Sequence, residues 1–430
     1  MTRPVVSDRC TFLTIAAFAI LFPVDAQPIK TKTADQLSHD LSDGSAEVRR
    51  RAALDLSELG YEAIPAVPVL SVALKDNDAA VRSAAALAIS RIGPEAAAAV
   101  PNLMWLLEDT DPIIRQRTGT ALHNIGPAAK PAVEALKEAL KDQAINNASG
   151  AALALGRIGE PAIPALIEAV SHTDVETRRR AALGLGSLGP KAGKAVPALA
   201  AALQDSDDWV RRYACWALGN IGTDAKEALP ALRQRLKDKR LHFQFDAAEA
   251  MLRIDSSTAG PVEVLKREDM LRQMPLYAAS ALALVPTEAE TALPILIKAL
   301  EEEPVWRVDM AIHGIRRLGP KNGAPAVPKL QAIARNGQAM NRLKAAETFA
   351  TLAGKPTELI TVIDQELASK SSERRAEGLK ALAKLGQQGK ELAERMLPLL
   401  KDNDWAVREA ARTAMKQIDP VRAKALKIAN

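Results

Sequence analysis

Apolar residues recur along this chain in short stretches of helical spacing, and over much of the chain the stretches themselves repeat with a period of about 33 residues. In residues 196–222, Leu199 and Leu203 belong to one stretch, and Val210 and Leu218 to the next. Each spacing places the apolar side chains on one face of a helix. A fixed period of this length is typical of a solenoid, in which stacked helix pairs share a continuous core. The pattern therefore predicts an all-α solenoid of tandem antiparallel helix pairs, with an extended surface instead of a central pocket.

Proline, aspartate and glycine recur at fixed places within the period and predict where each helix begins and ends. Proline can begin the first helix because the first helical N–H needs no partner. Aspartate in the turn caps the second helix, and glycine ends it in a left-handed conformation. The first-helix prolines are Pro68, Pro101, Pro164, Pro197, Pro230, Pro294 and Pro328. The terminating glycines are Gly60, Gly93, Gly126, Gly159, Gly189, Gly222, Gly319 and Gly386.

An arginine near the start of many second helices follows the turn aspartate at a constant spacing, as Arg49 follows Asp43. The planar guanidinium suits a carboxylate better than a lysine ammonium does. We therefore expect a structural ladder, in which each arginine reaches the aspartate or the turn carbonyls of its own or an adjacent repeat. The alternative is that this row of arginines binds a ligand. The ladder residues are Asp43, Arg49, Asp76, Arg82, Asp109, Arg115, Arg178, Asp205, Arg211, Asp402 and Arg408.

The recurring phrase is an Asp-x-Asp turn followed by Val-Arg-x-x-Ala-Ala-x-Ala-Leu-Gly-x-Ile-Gly. It resembles the HEAT repeat and, within that family, the bilin-lyase-type HEAT-like repeat. The resemblance covers residues from about 34 to about 420, or about twelve repeats. It implies a HEAT-like superhelix. The shared residues are structural, and such units also occur in proteins that handle no tetrapyrrole, so a lyase-like accessory role is the least favoured alternative.

The regularity of the repeat suggests four segments. Residues 1–26 form a predicted signal peptide, residues 27–254 regular repeats, and residues 292–430 further repeats with a polar cap. Residues 255–291 depart from the pattern, because a flexible stretch and Pro275 replace the expected helix signals. This segment is either a hinge or a change in superhelical curvature, and the alternative is simple sequence drift in a tolerant scaffold.

The N-terminal segment and the charge predict where the protein works. Arg3 and Arg9 precede an apolar stretch at residues 12–22, and small residues at positions 24 and 26 suit a signal peptidase. We expect a periplasmic or extracellular protein, with an uncleaved membrane anchor as the alternative. Cleavage would remove as many acidic as basic residues, so the net charge stays at +5. This mild excess and the predicted export argue against nucleic acid as the partner.

The sequence contains no recognisable catalytic constellation. None of the five histidines lies in an HExxH motif, and the glycines are helix stops instead of a phosphate-binding loop. Cys215 occupies a small-residue position of its repeat, which favours a buried residue over a nucleophile. We therefore expect a monomeric protein that is not an enzyme and that uses no cofactor or metal.

A helical wheel of the second helices identifies a candidate binding surface on the side opposite the core. Arginine and aromatic residues gather there, and this combination is enriched in binding hot spots. The predicted partner is an acidic protein or peptide segment, and the alternative is an anionic polymer or a membrane surface. A Trp216 packed under a neighbouring repeat would argue against a binding role. The candidate partner-binding residues are Arg117, Arg157, Arg179, Arg180, Arg212, Tyr213, Trp216 and Arg253.

Overall fold

The computed structural model describes residues 32–426, except residues 143, 144, 258 and 303, together with residue 428. The predicted signal peptide at residues 1–26 lies outside these residues. From Ala34 onward the described residues belong to one structural unit.

The described residues form twelve helix pairs and contain no strand. The first helices are α1 (Ala34–Asp40), α3 (Val67–Ala73), α5 (Val100–Leu106), α7 (Val133–Ala139), α9 (Ile163–Val170), α11 (Val196–Ala202), α13 (Leu229–Arg235), α15 (Ala259–Leu265), α18 (Ala289–Ala299), α20 (Val327–Asn336), α22 (Thr357–Leu367) and α24 (Ala393–Met396). The second helices are α2 (Ala46–Leu59), α4 (Ala79–Ile92), α6 (Pro112–Ile125), α8 (Ile145–Ile158), α10 (Val175–Leu188), α12 (Asp208–Ile221), α14 (Leu241–Ile254), the broken pair α16 (Glu268–Gln273) and α17 (Pro275–Leu282), α19 (Val305–Gly323), α21 (Ala339–Ala353), α23 (Ser372–Leu385) and α25 (Trp405–Ile418). A short helix, α26 (Pro420–Ala425), follows the last pair.

Glycine and proline mark the helix ends much as the sequence predicts. All eight predicted terminating glycines have a positive φ, from 52° at Gly60 to 96° at Gly159. Seven of them directly follow a second helix, whereas Gly319 kinks α19 before its end at Gly323. One proline prediction is wrong: Pro294 lies inside α18, which begins earlier, at Ala289. The residues before Pro294 extend the helix back to a 3-10 turn, and an internal proline removes only one backbone hydrogen bond from it.

Most pairs are joined by a 3-10 segment that follows the second helix and leads into the next first helix. We call the side of the array that carries these segments the linker edge. The opposite side, which carries the acidic turns within each pair, is the turn edge. The 3-10 segments are Gly60–Ala66, Gly93–Ala99, Gly126–Ala132, Glu160–Ala162, Gly189–Ala195, Gly222–Ala228, Pro286–Glu288, Ala324–Ala326, Gly386–Leu392 and, within the last pair, Pro398–Lys401.

The second helices line the concave side of the array. They pack along their length against the second helices of neighbouring pairs, whereas the first helices touch one another much less. In a curved array the inner elements are closer together, so the second helices lie on the inner radius. Interior glycines permit this approach, since a Cβ at Gly219 of α12 would lie only 3.1 Å from the Ala250 Cα of α14.

The buried apolar residues form two clusters that meet at α14. Met251 and Ile254 of this helix belong to the N-terminal cluster, and Phe245 and Leu252 belong to the C-terminal one. The segment after α14 is the predicted degenerate region, where the second helix of the pair is broken before Pro275. The hinge assigned to residues 255–291 stays a prediction.

Candidate functional site

Arginine–aspartate pairs connect successive repeats along the turn edge. Arg49 Nε donates to Asp76 Oδ2 at 2.6 Å, and its Nη2 donates to Asp76 Oδ1 at 2.9 Å. Its Nη1 donates to the carbonyls of Asp43 and Gly44 in its own turn, at 2.9 and 3.1 Å. Each such arginine therefore ties its own turn to the aspartate of the following turn. The other pairs of this kind are Arg82–Asp109, Arg115–Asp142, Arg178–Asp205 and Arg375–Asp402.

The pairing keeps the ladder aspartates ionised. The hydrogen bond from Arg49 lowers the pKa of Asp76 below its ordinary value, although partial burial opposes the shift. A carboxyl group with a depressed pKa stabilises the folded protein above its unfolded-state pKa. That contribution is lost as the pH falls below about 4.

The ladder changes at Arg211. Its Nη1 donates to the carbonyl of Asp205 at 2.6 Å, as in the other repeats, but its carboxylate partner is Asp208 of its own helix. Asp238, the aspartate of the following turn, pairs instead with Arg235 at 2.7 Å. The regular ladder is therefore interrupted between α12 and α14, just before the degenerate segment.

The centre of the candidate binding surface is a group of side chains on α12. The Arg212 guanidinium carbon lies 5.0 Å from the ring centroid of Trp209, and the Trp209 and Tyr213 centroids are 5.8 Å apart. Arg212 Nε donates to Asp246 Oδ2 of α14 at 2.8 Å. The group is thus held in place by a contact to the next repeat.

Neighbouring carboxylates also pair with two other candidate arginines. Arg179 forms a bidentate pair with Asp207, with Nε–Oδ1 and Nη2–Oδ2 distances of 2.8 and 2.5 Å. Arg253 Nη2 donates to Glu249 Oε1 at 2.7 Å. Arg117 donates to the Ser83 hydroxyl at 2.7 Å. The two ion pairs with Asp207 and Glu249 reduce the positive potential of the concave surface, so its charge does not by itself predict an acidic partner.

Two candidate residues are packed between helices instead of facing outward. Arg180 is only 4% exposed, and burial lowers its pKa from the ordinary arginine value. The Trp216 ring packs against α10, where its Cζ3 and Cε3 atoms lie in the space that a Cβ at Gly186 would occupy. The outward placement of these residues was wrong because a wheel treats each helix in isolation. In the array, the second helices on either side cover its flanks.

Two residues of this surface, Trp209 and Asp246, are not among the predicted partner-binding residues, and Asp246 is the less expected of the two. Its side chain is 16% exposed, and it lies among buried alanines on α14. A lone acidic residue in an otherwise apolar stretch, Phe245-Asp246-Ala247-Ala248, was the available signal. Burial raises the pKa of Asp246 to about 6, although the charge of Arg212 opposes the shift.

The raised pKa of Asp246 predicts a pH dependence of stability. A carboxyl group whose folded-state pKa exceeds its unfolded value favours folding at low pH, and this contribution is lost as the pH rises through about 6. Relative to Asp246→Asn, wild type should therefore gain about 1 kcal/mol in unfolding free energy between pH 7 and pH 5. Urea denaturation of both proteins at the two pH values measures this difference. Parallel pH profiles would contradict the prediction.

Two kinds of feature are absent from the described residues. No helix in this part of the chain has the length and apolar character that crossing a membrane requires. The same residues hold no group of three or more His, Cys, Asp and Glu side chains arranged to bind a metal ion.

Comparison with known proteins gives a family. The family model for HEAT repeats matches residues 34–100, 100–183 and 163–253. No curated protein matched the chain.

Solved structures that match the chain include two that cover much of it. An engineered protein from a structural genomics consortium is 24% identical, with 89% of this chain and 98% of that chain covered and a TM-score of 0.37. A chain of the CpcE–CpcF complex of phycocyanin lyase from Nostoc is also 24% identical, with 58% and 98% covered and a TM-score of 0.31.

Proposed function

Because this chain belongs to the HEAT-repeat family, we propose that it is a non-catalytic scaffold that binds a protein or peptide partner along its concave face. The observation that carries the proposal is the group formed by Trp209, Arg212 and Tyr213 on the concave side. Aromatic and arginine side chains dominate the binding energy of protein interfaces. The contact to Asp246 holds Arg212 before a partner arrives, so binding would cost less side-chain entropy.

The chemistry of this group favours a particular kind of partner segment. The rings of Trp209 and Tyr213 offer apolar area beside a guanidinium whose Nε is already engaged. An apolar or aromatic side chain of a peptide could pack on the two rings, and an oxygen acceptor beside it could accept a hydrogen bond from the guanidinium. We therefore propose a partner segment with apolar and polar side chains, instead of the acidic segment that the sequence predicts.

Export is a further part of the proposal and rests on the sequence alone. The basic residues, apolar stretch and small residues of positions 1–26 have the layout of a secretory signal peptide. The partner would then be a protein of the cell envelope or the extracellular medium.

An affinity pulldown from envelope extract tests the proposal. The bait is residues 27–430, beside a Trp209→Ala variant and a matched Trp105→Ala control. Trp105 is 74% exposed on α5, a first helix away from the concave side. We expect a discrete protein that Trp209→Ala binds at least about tenfold more weakly and that Trp105→Ala retains.

Other outcomes would overturn this proposal. Equal recovery by all three baits would exclude the Trp209 group as the binding site. Recovery of polyanions alone, fading between low and moderate salt, would favour the anionic-polymer alternative, because exposed charges are screened by salt. Arg212 and Trp216 are unsuitable for this test because both are packed against neighbouring repeats.

A further inference from the structure

The last helix pair contacts the ends of second helices near the start of the array. A Cβ at Gly93, which follows α4, would lie 2.5 Å from both Cβ and Cγ of Trp405. A Cβ at Gly60, which follows α2, would lie 3.0 Å from the Asn403 carbonyl carbon. The turn edge of the twelfth pair therefore lies on the linker edge of the first pairs, although the two are far apart in the sequence.

Arg408 shows that this contact is buried and specific. It is fully buried, and its Nη1 donates to the carbonyl of Asp402 at 2.8 Å, as a ladder arginine does. Its Nη2 lies 3.2 Å from Glu95 Oε2 and donates to the Ile92 carbonyl at 2.5 Å. Arg412 joins the same carboxylate at 2.8 Å. Arg49, Arg82, Arg115, Arg178 and Arg375 use the aspartate of the following turn, whereas Arg408 uses a glutamate from the 3-10 segment between the second and third pairs.

A second group extends the contact to α8. Arg157 Nη2 lies 2.5 Å from Glu409 Oε2, and its guanidinium carbon lies 5.6 Å from the Trp405 ring centroid. Arg157 was a candidate partner-binding residue. In this structure its guanidinium contacts Glu409 and Trp405 of the C-terminal repeat of its own chain.

The charges at the contact depend on each other. Burial alone would raise the pKa of Glu95, but the hydrogen bond and charge of Arg408, with the charge of Arg412, lower it overall. Glu95 is therefore ionised at neutral pH. Removing it would leave the buried Arg408 guanidinium without its carboxylate, which is strongly unfavourable.

We propose that residues 403–412 are an intramolecular latch that docks on the linker edge of α2, α4 and α8 and closes the superhelix on itself. The docked segment is part of the same chain, so its high effective concentration lets a small interface persist. Release of the latch exposes Glu95, Arg157 and the linker edge to another protein. The latch needs no external partner, so its test is independent of the binding role proposed above.

Two variants and two matched controls test the latch. Glu95→Lys reverses the charge beside Arg408 and Arg412, while Glu62→Lys makes the same change at the exposed equivalent position one repeat earlier. Gly93→Ala places a methyl group against Trp405. Gly222→Ala carries the same positive-φ strain, since Gly222 has a φ of 74° against 80° for Gly93, but no atom lies within 4 Å of its Cβ position.

Small-angle scattering and hydrogen exchange on residues 27–430 give the readout. We expect Glu95→Lys and Gly93→Ala to increase the radius of gyration and to speed amide exchange in residues 403–412 by about tenfold or more. Glu62→Lys and Gly222→Ala should match wild type in both measurements.

Two results would contradict the latch proposal. If the two variants scatter and exchange like wild type, the contact does not hold the array closed. If wild type sediments as a dimer that the two variants dissociate, residues 403–412 dock on a second copy instead of on their own chain.

Discussion

Replacing Arg82 by alanine is expected to lower the unfolding free energy by about 3 kcal/mol. Asp109, its partner on the next repeat, has a side chain only 6% exposed and would remain buried without the bidentate contact. The turn carbonyls of Asp76 and Asn77 would lose their donor as well. The change therefore removes both the link between two repeats and the brace within one turn.

Arg91 provides a matched control on the same helix. Its ion pair with Glu58 is exposed, with 44% and 74% of the two side chains accessible. Arg91→Ala should therefore cost no more than about 1 kcal/mol. The loss of unfolding free energy for Arg82→Lys should lie between these two values, because lysine keeps the charge but cannot form the bidentate contact of a planar guanidinium.

Urea denaturation, with hydrogen exchange of the α4 and α6 amides, measures these differences. Local exchange matters because a solenoid can open repeat by repeat. Equal losses for Arg82→Ala and Arg91→Ala would show that the ladder adds nothing beyond surface charge.

Replacing Trp216 by alanine is expected to cost about 3 kcal/mol of stability, because it would leave a cavity between α10 and α12. The ring atoms lie directly over Gly186, where α10 has no side chain to fill the space. Trp209→Ala removes the same residue type from the first turn of α12 and should cost about 1 kcal/mol or less. Urea denaturation of the two variants compares the costs.

A comparison of Gly186→Ala in two backgrounds gives the sharper test of this packing. In wild type, Gly186→Ala should destabilise the protein because the new methyl group would overlap the Trp216 ring. In the Trp216→Ala background the ring is gone, and only the Ala217 Cα, 3.2 Å from the Cβ position, crowds the new methyl group. Gly186→Ala should therefore destabilise this variant much less than it destabilises wild type. If Gly186→Ala has the same effect in both backgrounds, the two residues are not in contact.

The candidate site divides into a part that local sequence could predict and a part that it could not. The arginine and aspartate of the ladder recur with the 33-residue period, so the pattern alone predicted that they would pair with each other. Arg212 has a counterpart 33 residues earlier in Arg179, but the two arginines pair with carboxylates at different places. The partners of Arg212 and Trp216, which are Asp246 and Gly186, lie on neighbouring repeats. A wheel of one helix carries no information about those neighbours.

The helical class, the period and most helix ends follow from the amino-acid sequence. These properties depend on residues close together in the chain: apolar spacing within a helix, an aspartate cap and a glycine that adopts positive φ, as at Gly60. The pairing of the charged side chains, the burial of Arg180 and the contact between Glu95 and Arg408 depend on how the repeats pack in three dimensions. The curvature and pitch of a solenoid are the sum of small rotations between repeats, and no local pattern records that sum.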